Sequence, residues 1–197
     1  MRAPICTLLA FLLIISIRCN EEQPIANDNT VIIGGSEYKT VTISGLTWTA
    51  VNHAGEGGLV YDAANSRPEY GKYYTFNEVK NITLPEGWRI PTMDDYKKLA
   101  ASHSIAIPSY NNEAIKALTS ATRWLNVPGV NSSGFNAYPA GYSFNNSRPM
   151  DGDIAEFWTY EGNTLSIQEG ASASLRIMFY GGSTDPAYRF NVRFVRN

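Results

Sequence analysis

Leu84-Pro85-Glu86-Gly87-Trp88-Arg89-Ile90-Pro91-Thr92-Met93-Asp94-Asp95-Tyr96-Lys97-Lys98-Leu99-Ala100 is the stretch that decides the fold. Pro85-Glu86-Gly87 breaks the chain, and Pro91 ends the short run Trp88-Arg89-Ile90. Thr92 then opens the clearest helix of the sequence. A hydroxyl at the cap followed three residues on by an acid, here Asp95, satisfies two of the free amides of the first turn. Met93, Tyr96, Leu99 and Ala100 fall at helical spacing, while Lys97 and Lys98 ride the outer face and favour the C-terminal end of the dipole. Upstream, Tyr38, Val41 and Ile43 alternate up to Ser44-Gly45, and Leu46, Trp48 and Ala50 continue beyond it, a β-hairpin with a tight turn. His53 to Gly58 reads as a loop, and a short helix starts near Tyr73-Tyr74-Thr75-Phe76 and runs to about Asn81. Downstream, a weaker helix spans about Asn112 to Leu118. Two half-buried strands then close the chain, with Leu175, Ile177 and Phe179 inward on one and Phe190, Val192 and Phe194 inward on the other. A strand pair, two or three helices, then strands and long loops make an α+β domain.

The whole chain has 197 residues, a net charge of −2 and 17% charged residues, so it holds one substantial core and no basic field for nucleic acid. Tyr and Asn are plentiful, which suits a neutral, aromatic binding face. Only two cysteines are present, Cys6 and Cys19, too few for a disulfide scaffold or a four-thiolate metal site.

Residues 1–18 read as an address. Arg2 supplies a positive start, and Ile5 to Ile17 is an apolar run of roughly 20 Å as a helix, too short for a ~30 Å hydrocarbon core. Ser16-Ile17-Arg18-Cys19 resembles the bacterial lipobox, with Arg18 departing from the small residue usual before the cysteine. Cys19 is thus the expected lipidation site, anchoring the chain in a membrane through its acyl chains. Asn20-Glu21-Glu22 resembles the acidic export signal of surface lipoproteins of Bacteroidota. Together these imply an outer-membrane, lipid-anchored protein facing the cell exterior, a flexible tether over 19–36 and one domain over 37–197.

Six ordered blocks resemble the Fibrobacter succinogenes major paralogous domain. They are Leu46 to Asn52, Gly71 to Phe76, Leu84 to Thr92 with its helix, Gly134 to Tyr142, Phe157-Trp158-Thr159, and Phe190 to Arg196. The resemblance covers about residues 38–197. It implies a C-type-lectin-like fold related to the formylglycine-generating enzymes: a small twisted antiparallel sheet, two or three short helices and long loops. Those enzymes need a reactive cysteine pair, which this domain lacks. Calcium-dependent lectins use a Glu-Pro-Asn or Gln-Pro-Asp triplet, whereas the one Gln-Pro here, Gln23-Pro24, lies in the tether. The resemblance therefore implies neither of those chemistries.

No catalytic, cofactor or metal constellation emerges from the remaining residues. His53 and His103 have no Ser or Cys signature beside them. Asp151-Gly152-Asp153 is better read as a turn than a calcium loop, because the position of the bidentate acid is Gly162. Arg89 and Arg193 are expected to satisfy buried carbonyls, and Trp48, Trp88 and Trp158 to pack the core. The loop-rich stretch from 142 to 189 stands apart. It carries Tyr142, Asn145, Arg148, Tyr160, Asn163, Arg176, Tyr180, Asp185, Tyr188 and Arg189, a paratope-like mixture of rigid aromatics and adaptable polar groups. If Leu175, Ile177 and Phe179 face inward, Arg176 and Tyr180 share the opposite side of one strand. The expected activity is a non-catalytic, surface-displayed ligand-binding or adhesion module for glycan or protein. A structural or accessory subunit of a surface complex or pilus is the alternative, and an enzyme of unrecognised type comes last.

Overall fold

The structure is a computed structural model that describes residues 29–181 and 184–197. The expected signal peptide, the expected lipidation site Cys19 and the acidic Asn20-Glu21-Glu22 lie outside the described residues. β1 (Thr30–Ile33) pairs antiparallel with β2 (Ser36–Ile43), and β2 with β3 (Leu46–Thr49). Ser44 and Gly45 both take positive φ, 53° and 78°, the turn whose twist matches a two-residue hairpin. β10 (Val195–Arg196) slots between β3 and β4 (Trp88–Arg89), giving a five-stranded antiparallel sheet in the order β1-β2-β3-β10-β4. The tether expected over 19–36 is corrected by this sheet. Val31 and Ile33 alternate with half-exposed neighbours and are buried beside Tyr38 and Trp88, so burial of that apolar face draws Thr30–Ile33 into the fold.

The helices start where their caps place them. Thr75 caps α1 (Phe76–Lys80) and Thr92 caps α2 (Met93–Ala101), each in a reciprocal box with Glu78 or Asp95. Asn111 caps α3 (Asn112–Ile115), shorter than the helix expected to Leu118. A meander of β6 (Ile154–Trp158), β7 (Thr164–Gly170) and β8 (Ser174–Tyr180) forms a second sheet, and β5 (Ser143–Phe144) pairs with β9 (Tyr188–Arg189).

One face of the meander, through Ala155, Phe157, Leu165, Ile167, Leu175 and Ile177, joins Trp48, Tyr96, Leu99 and Phe135 in the larger core. A second core gathers Tyr74, Trp88, Trp158, Phe190, Val192 and Phe194. Trp48, Trp88, Trp124 and Trp158 are all buried.

The half-buried closing strand expected over 190–195 is not what forms. Phe190 to Val195 are all buried, and the segment passes through the middle of the molecule. Its polar side chains take up backbone carbonyls instead of water: Asn191 donates to Tyr70 O and Lys72 O, and Arg193 to Thr49 O and Asn136 O. Arg193 also donates to Asn52 Oδ1 and lies over the rings of Phe135 and Phe157. Arg89 departs from its expected role: it is partly exposed and pairs with Asp95 and the Asn197 side chain rather than with carbonyls.

Candidate functional site

Period two along the meander divides it into an apolar inner face and an outer face bearing Glu156 on β6, Thr164, Ser166 and Gln168 on β7, and Arg176 and Tyr180 on β8. The register aligns Arg176 with Gln168 and Tyr180 with Thr164. Leu175 and Ile177 are buried to the last atom while Arg176 and Tyr180 are exposed, so the two share the open side of the strand. A hydrogen-bond network crosses this face. Gln168 Oε1 accepts from Arg176 Nε at 2.8 Å and from Tyr180 Oη at 3.4 Å, and Gln168 Nε2 donates to Ser166 Oγ at 3.0 Å.

A groove of about 410 Å³ lies over this face. Its floor is Glu156, Thr164 and Gln168, and its rim carries Arg176 and Tyr180. The far wall is built from Tyr142, Tyr188 and Phe190, brought up by β5, β9 and the segment after β9. The rings brace one another: Tyr188 stacks on Phe190 at 6.0 Å between centroids, Tyr142 lies 5.6 Å from Phe190, and Phe190 meets Trp158 edge-on at 4.7 Å. A rigid aromatic wall thus faces an adaptable polar floor.

Glu156 is the unusual member. It is 7% exposed, yet among the described residues no Lys or Arg pairs with it. Thr164 Oγ1 donates to its Oε1 at 2.6 Å. Burial pushes the carboxyl up to about 7 against that lowering hydrogen bond, so it changes charge near neutrality.

A second groove of about 500 Å³ shares Tyr142, Ile154 and Tyr188 with the first. Leu125, Phe144, Met150, Arg148 and Asp151 are among its other lining residues. Arg148 is held over the Tyr61 ring at 4.9 Å and donates to its hydroxyl at 2.7 Å. Asp151 accepts from the hydroxyls of Tyr61 and Tyr70. Asp151 is therefore anchored by two phenols, and among the described residues no three His, Cys, Asp or Glu side chains gather as metal ligands would.

The ten residues expected to form the face do not all meet. Tyr142, Arg176, Tyr180 and Tyr188 line the first groove, and Tyr142, Arg148 and Tyr188 line the second. Tyr160 and Asn163 belong to the β6–β7 turn, which docks on the start of α2: Tyr160 N donates to Pro91 O, and Asn163 Nδ2 to Met93 Sδ. Asn145 holds a positive φ in a turn, and its amide donates to Ala187 O. Asp185 accepts from the Ala187 amide. Arg189 is spent on an ion pair with Glu78 and a hydrogen bond to Asn146. These five shape or brace the face without lining either groove. Glu156, Thr164, Gln168 and Phe190 were not expected there. The alternation Thr164, Ser166, Gln168 against Leu165, Ile167 was the signal available for the floor.

His53 and His103 stay apart from these grooves. His53 is buried between the rings of Tyr38, Tyr74 and Phe194. Burial, with Lys72 nearby, lowers its pKa to about 4, so the ring is neutral.

The family described as the Fibrobacter succinogenes major domain matches residues 28–196. No curated protein and no solved structure matches the chain.

Proposed function

The chain belongs to the Fibrobacter succinogenes major domain family, and from that premise we propose that it is a non-catalytic ligand-binding or adhesion module. In this reading it is displayed at the outer face of the outer membrane by lipid on Cys19 and holds a glycan or protein ligand over the 142–189 face. The observation that carries it is the first groove. Tyr142, Tyr188 and Phe190 supply fixed apolar surface opposite hydrogen-bonding groups of Gln168, Arg176 and Tyr180, the composition of a recognition site rather than a reaction centre. The reading also draws on the sequence, in which neither a nucleophile–base pair nor a reactive cysteine pair is found.

The test is an array of glycans and host surface proteins probed with the full chain, with and without chelator. Selective binding that survives chelator and drops at least tenfold in Arg176→Ala and Tyr180→Ala is the expected result; hits unaffected by both substitutions overturn the groove as the site. Retention of Cys19→Ala in the membrane fraction overturns the anchor.

One observation favours the alternative of an accessory subunit. Leu125, Phe144 and Met150 are 67%, 43% and 81% exposed and line the second groove, an apolar patch suited to a protein surface. Co-purification with one fixed partner, lost in Met150→Asp, together with a silent array, selects that reading.

A further inference from the structure

We propose that the first groove binds a glycan carrying an unsubstituted, protonated amino group, with that ammonium seated on Glu156. The inference rests on the groove being the binding site and adds the chemical class of what enters it.

Glu156 is more than nine-tenths buried, lines the groove floor, and holds one hydrogen bond, from Thr164 to Oε1. Oε2 accepts none among the described residues, and no ion pair of the described chain includes the residue. A buried carboxyl without a cation is costly to keep ionised, and Gln or Leu at this position would fold with less penalty. The missing partner has to be a hydrogen-bond donor, and a positive one gains most. An ammonium supplies both the proton and the counter-charge, giving the short, charge-assisted bond that a neutral hydroxyl cannot. Most of the desolvation of the carboxyl is already met by the fold, so the water lost on entry comes mainly from the ligand's amine. Tyr142, Tyr188 and Phe190 stand on one side of the groove and Tyr180 on the other, so a cation entering there meets aromatic surface.

A sugar fits this surround better than a peptide. An added peptide strand needs a free sheet edge, but Ser109 exchanges both backbone hydrogen bonds with Ile177 on β8. The β6 edge is bridged by Gly141 at Ala155 and by Asn191 at Phe157. What the groove does offer is a set of side-chain donors and acceptors, on Thr164 and Gln168 of the floor and Arg176 and Tyr180 of the rim, beside the aromatic wall. Hydroxyls around a saccharide ring can use these.

The experiment is calorimetric titration of the full chain at pH 6.5 with glucosamine tetramer, N-acetylglucosamine tetramer and trilysine. The free-amine tetramer is expected to bind at least tenfold more tightly than the acetylated one. Glu156→Gln, which keeps shape and the Thr164 bond, is expected to abolish that difference. Tyr180→Ala is expected to weaken both sugars. Equal affinity for the two tetramers, or a preference that survives Glu156→Gln, overturns the ammonium seat while leaving the groove as a binding site. Trilysine binding as tightly as the free-amine tetramer overturns the glycan as the source of the cation. Failure of all three probes also overturns this proposal. The groove itself falls only if array hits ignore Arg176→Ala and Tyr180→Ala.

Discussion

Arg193 and His53 illustrate how single side chains hold this molecule together. Arg193 is a fully buried cation whose charge is met by the Asn52 side chain, by the carbonyls of Thr49 and Asn136, and by the faces of two phenylalanines. A guanidinium can do this because its donors fan out in a plane that also stacks on rings. Arg193→Met is of similar bulk but leaves those acceptors unpaired inside the protein. We expect a loss of about 3–5 kcal/mol in urea denaturation; a loss under ~1 kcal/mol contradicts this bonding account. Gly141 is the second residue of this kind. Its φ is +69°, and a Cβ there would sit 2.0 Å from Met150 O, closer than any side-chain carbon can approach. Since the next residue is Tyr142, Gly141→Ala is expected to displace the groove wall as well as destabilise the fold, read as a lowered Tm together with weaker binding of the tetramers proposed to enter the groove.

At the scale of elements, α2 is the case where sequence and structure coincide most closely. Thr92 Oγ1 accepts from Asp95 N, and Asp95 Oδ2 accepts from Thr92 N at 2.8 Å. Arg89 from β4 closes on the same carboxylate, tying strand to helix. Burial alone raises the Asp95 pKa, but the bonds from Arg89 and Thr92 outweigh it and bring the value down to about 2. A carboxyl whose folded pKa is depressed stabilises above its ordinary 3.8 and loses that contribution as pH falls through about 2. Thr92→Ala is therefore expected to cost about 1 kcal/mol. Asp95→Asn costs more, by an amount constant from pH 7 to about 4 and shrinking below, as urea titrations across that range will read. This box was legible because all its atoms lie within four residues, and the hairpin was legible because its turn chemistry sits at Ser44-Gly45. The Arg176–Tyr180 pair was legible too, since period two needs only one strand. β6 was not. Ala155 to Trp158 are all buried, so the strand shows no exposed–buried alternation by which Glu156 in its midst could be assigned to a face. The segment 190–195 misleads the other way, because its polar residues alternate but spend themselves on carbonyls 57 to 144 residues away. Arg189 is drawn away from both grooves in the same manner, by a partner, Glu78, that is distant in sequence.

Over the whole molecule, two buried groups set opposing dependences of stability on pH. His53 has a folded pKa of about 4 against an ordinary 6.5, so the unfolded chain binds the extra proton between those values and stability falls as pH drops through that window. Glu156 has a folded pKa of about 7 against an ordinary 4.5, so the folded chain holds the extra proton there and stability falls as pH rises from 4.5 to about 7. Where the windows overlap, between pH 4.5 and 6.5, the two slopes cancel and the protein has a plateau. Glu156→Gln removes one of them. The variant is expected to gain stability steadily from pH 4 to 6.5, as neutral His53 alone dictates, and to exceed the wild type by about 3 kcal/mol at pH 8, where the wild-type carboxylate is fully charged and buried. Urea titrations of both proteins at half-unit pH steps read this directly, and parallel curves would refute the assignment of the buried charge to Glu156. The same measurement separates two roles for that residue. A carboxyl kept for the fold would leave the variant weaker at every pH, whereas one kept for a ligand leaves the empty protein better off without it. Adding the free-amine tetramer should then stabilise the wild type more than the variant at pH 6.5, because binding supplies the counter-charge that the fold omits.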